Sequence, residues 1–154
     1  MNKQTIRLLS DSEVDTELIS LIENGITVPL IVTGSSMLPF LHHKLDTVWL
    51  VRVEGKLYRG QILFFRRTNG SMVLHRIRRI LPDGCMVVNG DAQVWCEVVR
   101  PEQAVAVVSA VTRNGKMRRT DSLITKVRDA VWYPTRPFRP LIFKVYGFIR
   151  KIFP

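Results

Sequence analysis

Two textures of hydrophobic and polar residues alternate along the chain. Over 11–24, Val14, Leu18, Leu21 and Ile22 recur at the three- and four-residue spacing of one helix face, behind candidate caps at Ser10 and Ser12 and ahead of the stop signal Gly25. The spacing predicts a short amphipathic helix, acidic on its outer side. From Ile26 the pattern changes to short apolar and β-branched runs at 26–32, 47–53, 61–65, 72–80, 85–89 and 104–112, each bounded by Gly, Pro, Asn or Asp. Such runs predict a compact, mostly β domain. Asn114-Gly115 predicts a hairpin whose returning strand is 116–118. Past Asp121 helical periodicity returns. Residues 122–132 predict a helix, Pro134, Pro137 and Pro140 break the chain, and Leu141, Ile142, Val145, Phe148, Ile149, Ile152 and Phe153 give a last helix a wide apolar face, away from Lys144 and Lys151 with Arg150 near them. The organisation expected is a 1–25 N-terminal helix, a 26–120 β domain and a 121–154 basic amphipathic tail.

With 154 residues, 46% hydrophobic and 23% charged, the chain has material for one folded domain and an appendage. Cys85 and Cys96 have neither the paired spacing of a zinc site nor the number for a disulfide framework. Asp11, Glu13, Asp15, Glu17 and Glu23 occupy the region where the apolar stretch of a leader would lie, and no run approaches the roughly 18 apolar residues of a membrane span, so neither is expected. Charge is uneven. Residues 1–112 carry 12 Lys+Arg against 11 Asp+Glu, a balance of +1, whereas 113–154 carry 11 against 2, a balance of +9. A basic tail implies an acidic partner. Its apolar face favours an anionic membrane surface, with the last helix lying in the interface plane. Packing of that helix on the β domain is the plainer alternative and would fit a cytoplasmic protein. Nucleic acid, met by Arg113, Lys116, Arg118 and Arg119 with Trp132 and Tyr133 nearby, ranks behind.

Three places carry candidate chemistry. Gly34-Ser35-Ser36-Met37-Leu38-Pro39 follows the apolar run 29–32, which puts Ser36 near a turn at a strand end. Alone, the segment reads as an ordinary polar loop. In 72–80, alternation sets Val73, His75, Ile77 and Arg79 on one face and Leu74, Arg76 and Arg78 on the other. A lone histidine among aliphatics is usually a satisfied core residue. Asn89-Gly90-Asp91, at another strand end, adds a carboxylate. A serine, an imidazole and an acid in one small domain are the minimum for acyl transfer. The adjacent His42 and His43 point apart in extended chain and lack a third ligand, so no metal and no cofactor is expected.

The ordered combination Gly-x-Ser-Met-x-Pro, an apolar strand ending in His-Arg, then Gly-Asp resembles the signal peptidase-like serine peptidases, the superfamily that also holds the LexA-type self-cleaving repressors. The likeness covers residues 26–112. Bacterial signal peptidases and LexA-type proteins use a lysine base. His75 at that position resembles instead the endoplasmic-reticulum and archaeal branch, with its Ser-His-Asp sites. The resemblance implies a signal peptidase/LexA-like β fold and a serine endopeptidase acting on a leader or precursor peptide. In it Ser36 is the nucleophile, His75 the general base and Asp91 the orienting acid. It further implies that the peptide is held as an added β-strand between 31–33 and Val73-Leu74, with Gly34, Ser35 and Met37 around the oxyanion site and the Ser36 N–H as one donor. Leu45 before Asp46 and Gln61 after Gly60 depart from the family's Gly-Asp pairs, and Gly34 stands where many signal peptidases carry a hydroxyl. Signal peptidases commonly begin with a transmembrane anchor, which the pattern here does not lead one to expect. A self-cleaving repressor would need an N-terminal DNA-binding domain and usually an Ala-Gly site; with one short helix predicted before Ile26 and no Ala-Gly in the sequence, it is not expected. The alternative is a non-catalytic peptide-binding or nucleic-acid-binding regulatory module of the LexA-like fold.

Overall fold

The structure, a computed structural model, describes residues 11–152, with side chains over 14–149. Ser10 and Phe153 lie outside the described residues, as do the side chains of Ser12, Arg150, Lys151 and Ile152; the backbone of Ser12 falls within the first helix. Helix α1 (Asp11–Glu23) precedes strands β1 (Val28–Ile31), β2 (Asp46–Arg52), β3 (Ile62–Arg66), β4 (Met72–Ile80), β5 (Met86–Asn89), β6 (Glu97–Val99), β7 (Ala104–Arg113) and β8 (Lys116–Arg119). Helix α2 (Leu123–Trp132), a 3-10 turn (Tyr133–Phe138) and α3 (Arg139–Ile152) follow. The strands form one antiparallel sheet in the order β1-β2-β7-β3-β4-β5-β6, with β8 paired to β7.

Irregularities at Trp49/Leu50, Phe64/Phe65 and Ile77/Arg79 interrupt the registers, the kind of step that adds twist and coils a sheet. Both faces are covered. On one, Val32, Met37, Leu41, Val48, Leu50, Ile62 and Phe64 form a core closed by Leu18 and Ile22 of α1; on the other, Leu63, Phe65, Ile77, Met86, Val88, Val99 and Val107 form a second. Strand β3 explains itself this way. Ile62, Leu63, Phe64 and Phe65 are all buried because successive residues enter opposite cores, so an unbroken apolar run is the pattern a strand covered on both faces requires. Each such side chain stabilises the fold by about 1.5–3 kcal/mol.

Strand β4 runs over the residues its alternation predicts, and the other anticipated strands differ by one or two residues at their ends. Strand β6 was not anticipated. The prolines of the tail act differently from the breaks expected: Pro134 and Pro137 sit within the 3-10 turn, and Pro140 lies in the first turn of α3, where its missing N–H has no intrahelical acceptor to lose.

Candidate active site

Strand registers set the site. Ile77 of β4 lies across from Val88 of β5, which lies across from Glu97 of β6, while Arg76 pairs with Asn89. The β4–β5 ladder ends at that pair, with Gly90 following Asn89 and His75 preceding Arg76, and alternation puts the His75 side chain on the face of Ile77. His75 is buried there, with Phe65 at 5.9 Å and the edge of Trp95 at 5.7 Å between ring centroids. Its Nδ1 lies 2.7 Å from Oε1 of Glu97, an ion-pair contact without the alignment of a straight N–H···O bond. Arg67 grips the same carboxylate twice, Nε to Oε2 at 2.9 Å and Nη2 to Oε1 at 2.7 Å, with its guanidinium over Trp95.

Burial is the largest influence on His75 and lowers its pKa. The Glu97 charge opposes that shift, Arg67 adds to it, and the imidazole is left below its ordinary value, hence neutral and proton-accepting at neutral pH. For Glu97, burial works upward, but the Arg67 hydrogen bond and the charges of His75 and Arg67 together hold its carboxyl below the usual range. A neutral imidazole backed by an ionised carboxylate is a general base in waiting.

Ser36 sits in the loop between β1 and β2. Its carbonyl accepts the Ala92 N–H at 2.8 Å, and a Cβ added at Gly90 would lie 2.7 Å from that same oxygen. Only a residue without a side chain lets the two segments meet. Upstream, Gly34 adopts a left-handed φ of 82° and its N–H donates to His43 Nδ1 at 3.0 Å, while His42 Nε2 is 3.0 Å from the Pro39 carbonyl. These histidines clasp the loop. Among the described residues no group of three metal-ligating side chains occurs. Met37 and Leu41 anchor the loop in the first core, Ser35 is exposed and Ser36 half-buried. Among the described residues the Ser36 hydroxyl has no hydrogen-bond partner, and the N–H groups of Ser36 and Met37 have no acceptor. Unspent donors beside a serine are what an oxyanion requires.

Asp91 is elsewhere than the orienting position expected for it. Alternation turns it to the opposite face from Gly90, where it accepts Arg76 Nε and Nη2 at 3.0 and 2.7 Å and Arg78 Nη2 at 2.7 Å. Two guanidiniums occupy this fully buried carboxylate, and the acid in contact with the imidazole is Glu97. The tail completes the cluster: Asp129 of α2 accepts Arg78 and lies 3.2 Å from Arg76 Nε, Trp132 Nε1 donates to the Asp91 carbonyl at 2.7 Å, and Arg139 of α3 donates to Asn89 Oδ1 at 2.7 Å and to the Gln93 carbonyl.

Val73 and Leu74 are half-buried on a stretch of β4 with an open side. Strand β3 pairs with it from Met72 to Arg76, whereas β5 ends opposite Arg76, so among the described residues no strand covers the other edge of 72–75. Ile31 is exposed at the end of β1, which is itself an edge strand. The fold therefore seats the Ser36 loop on the Gly90 turn and His75 beside an unpredicted Glu97; among the described residues the contacts of Ser36 are with that turn and those of the His75 ring with Phe65, Trp95 and Glu97. In comparison with known proteins, the chain matches no family model, no curated protein and no solved structure.

Proposed function

We propose that the chain is a serine endopeptidase of the signal peptidase-like kind, in which Ser36 is the nucleophile, His75 the general base and Glu97, in place of Asp91, the group that orients it. The observation that carries this reading is the seat of the Ser36 carbonyl on the turn that follows Asn89, whose ladder partner Arg76 adjoins the carboxylate-backed His75. His75 Nε2 takes the proton from Ser36 Oγ as that oxygen attacks a peptide carbonyl, and returns it to the leaving amine when the tetrahedral intermediate collapses; water then releases the acyl group. The free N–H groups of Ser36 and Met37 are the oxyanion donors this mechanism calls on. The unpaired edge of 72–75 and the outer edge of β1 are each open to an added strand, which supports recognition by strand addition. Asp91 acts as a positioning group, tying β4 to the turn that carries Gly90.

Incubation of the protein with a peptide library tests the reading. Ser36→Ala and His75→Ala should abolish cleavage, and Glu97→Gln should lower kcat by about 10²–10⁴; cleavage by Ser36→Ala equal to that of the unaltered chain overturns it. A second reading, a groove that binds without cutting, is favoured by the burial of His75 beneath Trp95. Equal peptide binding by the unaltered chain and Ser36→Ala, with no products from either, identifies that case.

A further inference from the structure

Helices α2 and α3 are inside out. A surface helix ordinarily turns its apolar stripe to the core, yet in α2 the residues Leu123, Ile124, Val127 and Val131 are 53–76% exposed while Asp129, on the opposite side of the helix, is buried. In α3, Leu141, Val145, Phe148 and Ile149 are exposed while Arg139 is fully buried. Both helices dock through charge and present hydrocarbon outward. Apolar stripes left outward on two successive helices mark an interaction site, and no described helix is long and apolar enough to cross a membrane.

Beside this surface, between β8 and α2, lies a cleft of about 830 Å³ whose cationic lining is Arg76, Arg113, Lys116, Arg118, Arg119 and Arg128, with Phe40 also lining it. Three of these six cations have no acid. Asp46 takes Arg113, Asp91 and Asp129 take Arg76, and Asp121 takes Arg119, but among the described residues Lys116, Arg118 and Arg128 form no ion pair. Arg128 stands over the Phe40 ring at 4.9 Å, and burial, with the neighbouring charges of Arg76, Arg118 and Arg113, lowers its pKa. Cations drawn together without a counter-charge form a site for an anion, and guanidinium forks suit phosphate oxygens. Ile124, part of the outward stripe, also lines this cleft.

We propose that the cleft between β8 and α2 receives the phosphate headgroup of an anionic phospholipid, with α2 and α3 lying in the same leaflet by their outward stripes. The lipid surface, rather than a free phosphate, is fixed by the adjoining hydrocarbon; the +9 balance of residues 113–154 supplies the complementary charge. Nothing in this requires Ser36 or His75, so it and the peptidase reading fail separately.

The test is co-sedimentation of the full chain with phosphatidylcholine vesicles, with and without about one-third phosphatidylglycerol. Two double variants at exposed positions, Arg118→Glu with Arg128→Glu and Val127→Glu with Phe148→Glu, are compared after circular dichroism has verified their fold. Binding to the anionic vesicles at least about tenfold tighter than to the neutral ones, weakened at least about tenfold in each double variant, is expected. Equal binding to both vesicle types, no binding to either, or binding indifferent to either double variant overturns the proposal. So does preferential capture by a single-stranded oligonucleotide that outcompetes the vesicles.

Discussion

Asp129 is the pin that holds α2 to the sheet, and Asp129→Asn should release the tail before it disturbs the β domain. The buried cluster contains Arg76, Arg78 and Arg139 against Asp91 and Asp129; the substitution leaves three guanidiniums facing one carboxylate. Removing one partner of a buried ion pair costs about 3–5 kcal/mol, and because the Asn amide keeps one acceptor oxygen the lower end, about 3 kcal/mol, applies. Domains of this size are stable by about 5–15 kcal/mol in total. With its apolar residues turned outward, α2 is held by this cluster together with Trp132, which packs on Phe40 and bonds the Asp91 carbonyl, so undocking is the cheaper response. Hydrogen exchange followed by mass spectrometry reads it: amides of α2 and of the 89–93 turn should exchange about 100-fold faster, while the β2–β7 ladder stays protected. Adding Arg78→Met removes the orphaned charge and should recover part of the loss. Unchanged exchange in α2, or a double variant at least as damaged as the sum of the single ones, would refute this account of the tail.

Gly90→Ala should lower stability by about 1–3 kcal/mol, since the new methyl lands 2.7 Å from the Ser36 carbonyl oxygen and 2.6 Å from Gln93 Oε1; urea unfolding measures it. On the proposed function, library cleavage should fall further than stability explains, because the loop that must shift carries Ser36, the proposed nucleophile. Acid should weaken the fold in two stages. The lowered pKa of His75 means the unfolded chain binds a proton there that the folded chain does not, so stability is fully present above the ordinary histidine value of 6.5 and lost as pH falls through it; His75→Gln should flatten this part of a urea-midpoint profile. The depressed carboxyls of Glu97 and Asp46 contribute stability present above their ordinary values of 4.5 and 3.8 and lost as pH falls through the folded ones, a second decline that Glu97→Gln should reduce.

Local pattern was enough for the extent of β4, a nine-residue run between turn signals, and for the Asn114-Gly115 hairpin, because strand period and turn chemistry are properties of neighbours in the chain, whereas the register irregularity at Ile77/Arg79 was not legible there. Strand β6 was missed because Glu97-Val98-Val99 is too short to show a period. The role of Glu97 went with it: what makes that carboxylate a partner of His75 is a register running through β5, and no spacing in the sequence encodes it. Asp91 misled for the complementary reason, since its adjacency to Gly90 said nothing of which face it would take. In the tail, the amphipathic pattern was legible but its sense was not. The choice of buried face was made by two charged residues, Asp129 and Arg139, that found partners on the 89–93 turn and β4.

The central claim is that the side chain at position 36 meets the imidazole of His75, and a thiol placed there reports it without any knowledge of the substrate. Ser36→Cys, in a Cys85→Ser and Cys96→Ser background, is alkylated with iodoacetamide across pH. With His75 as neighbour, the rate should rise with a midpoint below the value of about 8.5 for a free thiol and return toward it when His75→Ala is added. The same midpoint with and without His75 would contradict the account.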